Sequence, residues 1–79
     1  MDQIEKFIRK LNKKLALSLL VVLGDIKALD IQKYDVEKMK GFSDLYRIRI
    51  GKIRIIFKKS NNVGVPVYIE YRGRVYKQF

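Results

Sequence analysis

The stretch from Leu45 to Lys59, L-Y-R-I-R-I-G-K-I-R-I-I-F-K-K, leaves a folding chain little choice. Two alternating runs of β-branched and aromatic residues flank Gly51-Lys52. A glycine-first pair fits the two-residue type II′ turn of a β-hairpin. That turn sets Ile50 opposite Ile53, Arg49 opposite Arg54, Ile48 opposite Ile55 and Tyr46 opposite Phe57. Tyr46, Ile48, Ile50, Ile53, Ile55 and Phe57 then share a core face. Arg47, Arg49, Arg54 and Lys58 share the other, with Ile56 among them.

That second face breaks a rule of sheets. Like charges directly across a strand pair destabilise it, because their Cβ atoms lie only about 4.5–5.5 Å apart. Places where local rules fail are candidates for function. The ordinary alternative is a solvated basic face. The working expectation is that the arginines gather where only an external anion relieves them.

A chain of 79 residues makes one domain, residues 1–79. It has no cysteine and no histidine, which removes disulfides, thiolate metal sites, the commonest general base and the commonest metal ligand. No cofactor or metal is expected, and the lack of cysteine fits a cytoplasmic protein. With 18 Lys+Arg against 8 Asp+Glu the formal charge is +10, which calls for a polyanionic or acidic partner. The longest apolar run, Leu15 to Leu23, is about half of the roughly 20 residues that span a bilayer. Neither a membrane span nor a signal peptide is expected.

Asp2 is placed to cap a first helix, with Ile4, Phe7, Ile8 and Leu11 at helical spacing. Asn12 reads as a break and as the cap of a second helix from Lys13 to about Leu29. Leu15, Ala16, Leu17, Leu19, Leu20, Val21, Val22 and Leu23 cover nearly its whole circumference. A helix apolar all round is usually buried on both sides. Either the first helix covers its outer side, or a partner or second copy does; a membrane-surface helix lacks the polar face it needs. Asp30 to Asp35 reads as a loop, with Asp25, Asp30 and Asp35 as turn and cap residues. Val36 to Lys40 reads as a short strand carrying Glu37 and Met39 on one side. Ser60 to Gly64 reads as a loop and Pro66 opens the last strand. There Val67, Ile69 and Tyr71 face one way, Tyr68, Glu70 and Arg72 the other. The fold class is α+β: an N-terminal helical hairpin packed on one face of a small antiparallel sheet, with the basic face open.

Collected, the candidate site is Arg47, Arg49, Arg54 and Arg72, with Lys38, Lys40, Lys52, Lys58 and Arg74 nearby as nucleic-acid contacts. Tyr68 and Tyr76 supply aromatic rings, whose ordinary role is packing with an exposed hydroxyl. Guanidinium groups bind phosphate through paired donors, and a tyrosine ring can stack a base. Hydrolytic triads, Cys/His pairs and phosphate loops are absent from the sequence. An enzyme made from these residues would work mainly by electrostatic stabilisation. RNA suits that, because its own 2′-hydroxyl attacks the neighbouring phosphate once the backbone is held in line.

The run K-M-K-G-F-S-D-L-Y-R-I-R-I-G-K-I-R-I-I-F from Lys38 to Phe57, with Y-R-G-R-V-Y-K from Tyr71 to Lys77, resembles the RelE/ParE superfamily of toxins. These are the toxin halves of type II toxin–antitoxin pairs. The amphipathic I-E-K-F-I-R-K-L near the start is also typical of them. The pattern Y-R-I-R-x-G-x-x-R-I-I does not separate the branches of the superfamily.

The RelE-like branch implies a metal-independent endoribonuclease that cuts mRNA in the A site of the small (30S) ribosomal subunit. The resemblance would make Arg54 and Arg72 the holders of the scissile phosphate, Tyr76 the residue that stacks on or orients a base, and Arg47 and Arg49 the stabilisers of charge. It implies a cognate antitoxin, acidic or amphipathic, as partner. The ParE-like branch implies a non-enzymatic toxin that poisons DNA gyrase, and an inactive nucleic-acid-binding relative is the third reading. Compared with the superfamily, this chain lacks the usual strand before the first helix and a C-terminal helix. The open edge so left, or the apolar second helix, offers a surface for a homo-oligomer. Both early basic positions are arginine, which makes a poor general base, and a tyrosine of ordinary pKa, about 10, is nearly all protonated at neutral pH.

Overall fold

The computed structural model describes residues 2–71. Helices α1 (Gln3–Arg9) and α2 (Lys13–Lys27) precede strands β1 (Asp35–Lys38), β2 (Leu45–Ile50), β3 (Ile53–Ser60) and β4 (Val63–Tyr71). The strands form one antiparallel meander in the order β1-β2-β3-β4, with both helices on one face. This is the α+β arrangement expected from the sequence. Arg72, Arg74 and Tyr76 lie outside the described residues.

Both helices start where side chains can satisfy free N–H groups. Asp2 accepts from Glu5 N–H at 2.8 Å, and Asn12 accepts from Leu15 N–H at 2.9 Å. On α2, Leu19, Val22, Leu23 and Ile26 recur at i, i+3, i+4, i+7 spacing and are buried. They meet Ile48, Ile53, Ile55, Phe57 and Ile69 of the sheet in one core. The helix ends at Lys27, two residues short of the sequence reading, because Leu29 turns left-handed at φ +58°.

The outer side of α2 is not covered by α1. Leu17, Leu20 and Val21 stay 54%, 52% and 63% exposed. Helix α1 is only seven residues long and leans on β4 instead, with the Phe7 and Tyr71 rings 4.9 Å apart. Gln3 works there too. Its amide donates to Ile69 O at 2.6 Å and accepts from Ile69 N–H at 3.0 Å, which closes one peptide of the outer β4 edge.

The hairpin takes the expected register throughout, Arg49 against Arg54 included. Gly51 has φ +58°, while Lys52 is not left-handed, as a type II′ turn requires. The last strand departs from the sequence reading. It starts at Val63 after a two-residue Asn61-Asn62 turn, with Asn61 at φ +55°, so Pro66 lies inside it. A bulge between the Ile56 and Phe57 pairings leaves Val67 without a partner and 46% exposed, not on the core face. Proline is tolerated because β4 is an edge strand.

The connection after α2 is pinned by a side-chain latch. Asp25, read as a turn or cap residue, sits inside α2 and accepts from the Tyr34 hydroxyl at 2.5 Å; Lys33 Nζ stands 3.3 Å away. The hydrogen bond from Tyr34 is the main cause that holds the Asp25 carboxyl below its usual range; burial opposes it, and the hydrogen bond and charge of Lys33 add smaller support. The same bond pushes Tyr34 up to about 12. Tyr34 binds its proton more tightly folded than unfolded. Its contribution is therefore full below pH about 10, the ordinary tyrosine value, and is lost as pH rises toward about 12. Asp25 works in the opposite sense: its contribution is present above the ordinary carboxylate range and fades as pH falls below it. A Tyr34→Phe variant is expected to melt a few degrees lower at neutral pH and to lose less stability than the parent between pH 10 and 12, as read by melting curves across pH.

Candidate functional site

Register alone builds the face opposite the helices. Residues paired across the strands form rows, and two rows carry the arginines. The first is Asp35–Arg49–Arg54–Glu70; the second is Glu37–Arg47–Ile56–Tyr68. Arg47, Arg49 and Arg54 therefore do meet on one face, as the alternation of the hairpin predicts.

They are not uncompensated. Arg49 Nε and Nη2 donate to Asp35 Oδ2 at 2.8 and 2.6 Å. Arg47 Nη2 donates to Glu37 Oε1 at 2.7 Å, and Arg54 Nη2 stands 2.6 Å from Glu70 Oε2. The like-charge pair Arg49/Arg54 is thus the middle of a row with an acid at each end. The expectation that only an external anion relieves the arginines is overturned: β1 and β4 supply carboxylates of the molecule's own. Three arginine charges meet three carboxylate charges, and Lys58 has Asp44 at 3.7 Å. The Asp35 hydrogen bond, with its charge second, makes Arg49 hold its proton more firmly still.

The pairs differ in burial. The Arg54 and Glu70 side chains are 14% and 18% exposed, while Asp35 and Glu37 on the β1 edge are 55% and 61% exposed. The Nε atoms of Arg47 and Arg54 are buried and meet no acceptor, so each of these guanidinium groups is only partly satisfied. Tyr68 ends the second row, 43% exposed.

The remaining candidates scatter. Lys58 is on the open face and Lys52 is exposed in the hairpin turn. Lys38 pairs with Tyr46 and so belongs to the helix side of the sheet; Lys40 lies just beyond β1. Sequence reasoning missed Asp35, Glu37 and Glu70 as partners, although alternation had placed Glu70 on the arginine face. Asp35, taken for a loop residue, is the first residue of β1. Among the described residues the cations without a carboxylate within reach include Lys6, Arg9, Lys10, Lys13 and Lys14, gathered around the joint of α1 and α2. A shallow groove lined by Ile4, Ile8, Leu20, Leu23, Val65 and Pro66 runs between the helices and the β4 bulge. No helix among the described residues is long and apolar enough to cross a membrane.

No protein-family model matches the sequence, and no curated protein matches it. Among solved structures, a chain of the crystal structure of the RelB–RelE antitoxin–toxin complex from Methanococcus jannaschii has a similar fold. The TM-score is 0.71 at 20% identity, over 94% of this chain and 89% of that one. At that identity the likeness speaks for the fold.

Proposed function

We propose that this chain is the toxin-type member of a toxin–antitoxin pair and cuts mRNA on the ribosome without a metal, through its open sheet face. The observation that carries this reading is the meeting of Arg47, Arg49 and Arg54 on adjacent strands of a fold shared with a RelB–RelE complex. The Y-R-I-R-I-G-K-I-R pattern, which resembles the RelE/ParE toxins, supports the toxin side of the pair. In the reaction the RNA 2′-hydroxyl, giving up its proton, attacks the adjacent phosphate; the P–O5′ bond breaks, the 5′-oxygen leaves as a hydroxyl by taking up a proton, and a 2′,3′-cyclic phosphate remains. Arg54 and Arg72 grip that phosphate, Arg47 and Arg49 offset the charge that builds on it, and Tyr76 orients a base. Lys40, Lys52, Lys58 and Arg74 contact the backbone farther away, whereas Lys38, on the helix side of the sheet, is left out of this contact. The partner is an acidic or amphipathic antitoxin that neutralises the cationic surface.

An Arg54→Ala, Arg72→Ala double variant is expected to lose growth inhibition on induction. Its primer-extension stops on translated mRNA should fall by about a hundredfold or more. Circular dichroism checks that it still folds. Unchanged toxicity in a folded double variant excludes the nuclease reading. A second reading has its own support: the arginines are internally paired, and Leu17, Leu20 and Val21 stand exposed on α2. These features suit a ParE-like toxin that poisons gyrase by binding, or an inactive relative; that apolar face also suits a homo-oligomer. Toxicity with uncut transcripts selects the gyrase-poison reading.

A further inference from the structure

We propose that Asp35, Glu37 and Glu70 latch the arginine rows: they hold the places that the phosphates of a bound polynucleotide strand take, and the strand enters by exchanging ion pairs. The identity of the ligand rests on the RNA reading above; the latch rests on the geometry of the rows. Among the described residues, each arginine of the face is held by one carboxylate, at 2.6–2.7 Å. The rows thereby cancel their own charge, so the +10 of the chain does not reside there.

The latch is graded. Asp35 and Glu37 are more than half exposed on the edge strand β1, and exposed pairs of this kind contribute little to stability. They swing away first. Glu70 is 18% exposed and pairs with an arginine 14% exposed, so it yields last. The unsatisfied Nε groups of Arg47 and Arg54 mean that the internal carboxylates fill only part of each guanidinium.

This arrangement selects its ligand. A lone phosphate exchanges for a single carboxylate and gains little. A strand that presents successive phosphates displaces two or three carboxylates for one immobilisation, so its later contacts are intramolecular. The charged rows stand two residues apart along the strands, roughly 6.6–6.8 Å, close to the pitch of phosphates on an extended polynucleotide.

The test measures affinity, not cleavage. The probe is a fluorescein-labelled 2′-O-methyl oligonucleotide, which lacks the attacking hydroxyl, followed by anisotropy against the full chain, with inorganic phosphate as competitor. Asp35→Asn, Glu70→Gln is compared with Asp2→Asn, Glu5→Gln. Both pairs add two units of charge, but Asp2 and Glu5 are in no ion pair. The latch variant is expected to bind about tenfold tighter or more, and the control about twofold. The slope of log affinity against log salt should steepen by about 0.7 for each freed arginine. The latch variant should also melt lower than the parent and recover when the oligonucleotide is added. If both pairs tighten binding equally, or neither does, the latch is wrong. Should Glu70→Gln fail to fold, Asp35→Asn, Glu37→Gln at the exposed edge decides by the same criteria. Absence of cleaved transcripts would sink the nuclease reading and leave these affinities standing. Equal affinities would sink the latch and leave toxicity untouched.

Discussion

Replacing Gly64 with alanine is expected to unfold much of the protein at temperatures where the parent is intact. Gly64, the second residue of β4, lies directly over the last turn of α2, and it is buried. A Cβ there would stand 2.1 Å from the backbone oxygen of Ile26, with Ile26 C and Cγ2 both at 3.0 Å. The obstacle is helix backbone, which cannot rotate aside as a side chain does. The sheet and α2 would have to separate, and the core between them would loosen. Overpacking of this kind costs about 3 kcal/mol or more. A domain of this size has only about 0.05–0.15 kcal/mol of stability per residue to lose. The melting point should fall by roughly 12–24 °C. The same change at Gly24 should do the reverse. Gly24 lies within α2, where a Cβ meets nothing within 4 Å. Gly24→Ala should add about 0.5–1 kcal/mol, the ordinary helix preference for alanine. Melting curves of the two variants give opposite signs if α2 is seated as described. A harmless Gly64→Ala would mean that the helix and β4 are farther apart.

Phe57→Ala should be nearly as damaging, through a void instead of a clash. Phe57 is fully buried, paired with Tyr46 on one side and Pro66 on the other, and its ring stacks on Tyr46 at 5.7 Å. Removing a buried phenyl ring costs about 3–5 kcal/mol, partly lost transfer energy and partly the cavity left behind. Among the described residues nine make up the buried core, so little else there can repack into the gap. Urea unfolding should show the midpoint dropping sharply, with the slope unchanged if the variant still unfolds in two states. Phe57→Leu, which refills part of the volume, should recover part of the loss.

The sequence was readable where a short-range device fixes the geometry. A two-residue turn leaves no freedom of register, so the Arg49/Arg54 pairing could be written down from Gly51-Lys52 alone. Asp2 and Asn12 were equally plain, because a cap acts within three residues. Legibility failed where the chain is longer or irregular. The connection from Met39 to Asp44 does not fix how β1 meets β2, so Asp35 and Glu37 could not be set opposite Arg49 and Arg47. The bulge at Val67 shifts the phase of β4 between Pro66 and Ile69, which hid the Gly64 contact with Ile26. The left-handed Leu29 carries no residue signal, since leucine is an uncommon choice there. Of the five residues expected to do chemistry, Arg47, Arg49 and Arg54 came together; Arg72 and Tyr76 lie outside the described residues.

The clasp between Gln3 and Ile69 joins the two ends of the described chain across 66 positions. The buried part of α2 likewise finds its partners only on strands made later. A nascent chain therefore carries its helical hairpin uncovered until β4 has been synthesised and freed. If the protein acts on ribosomes, it assembles only after most of it has left the one translating it.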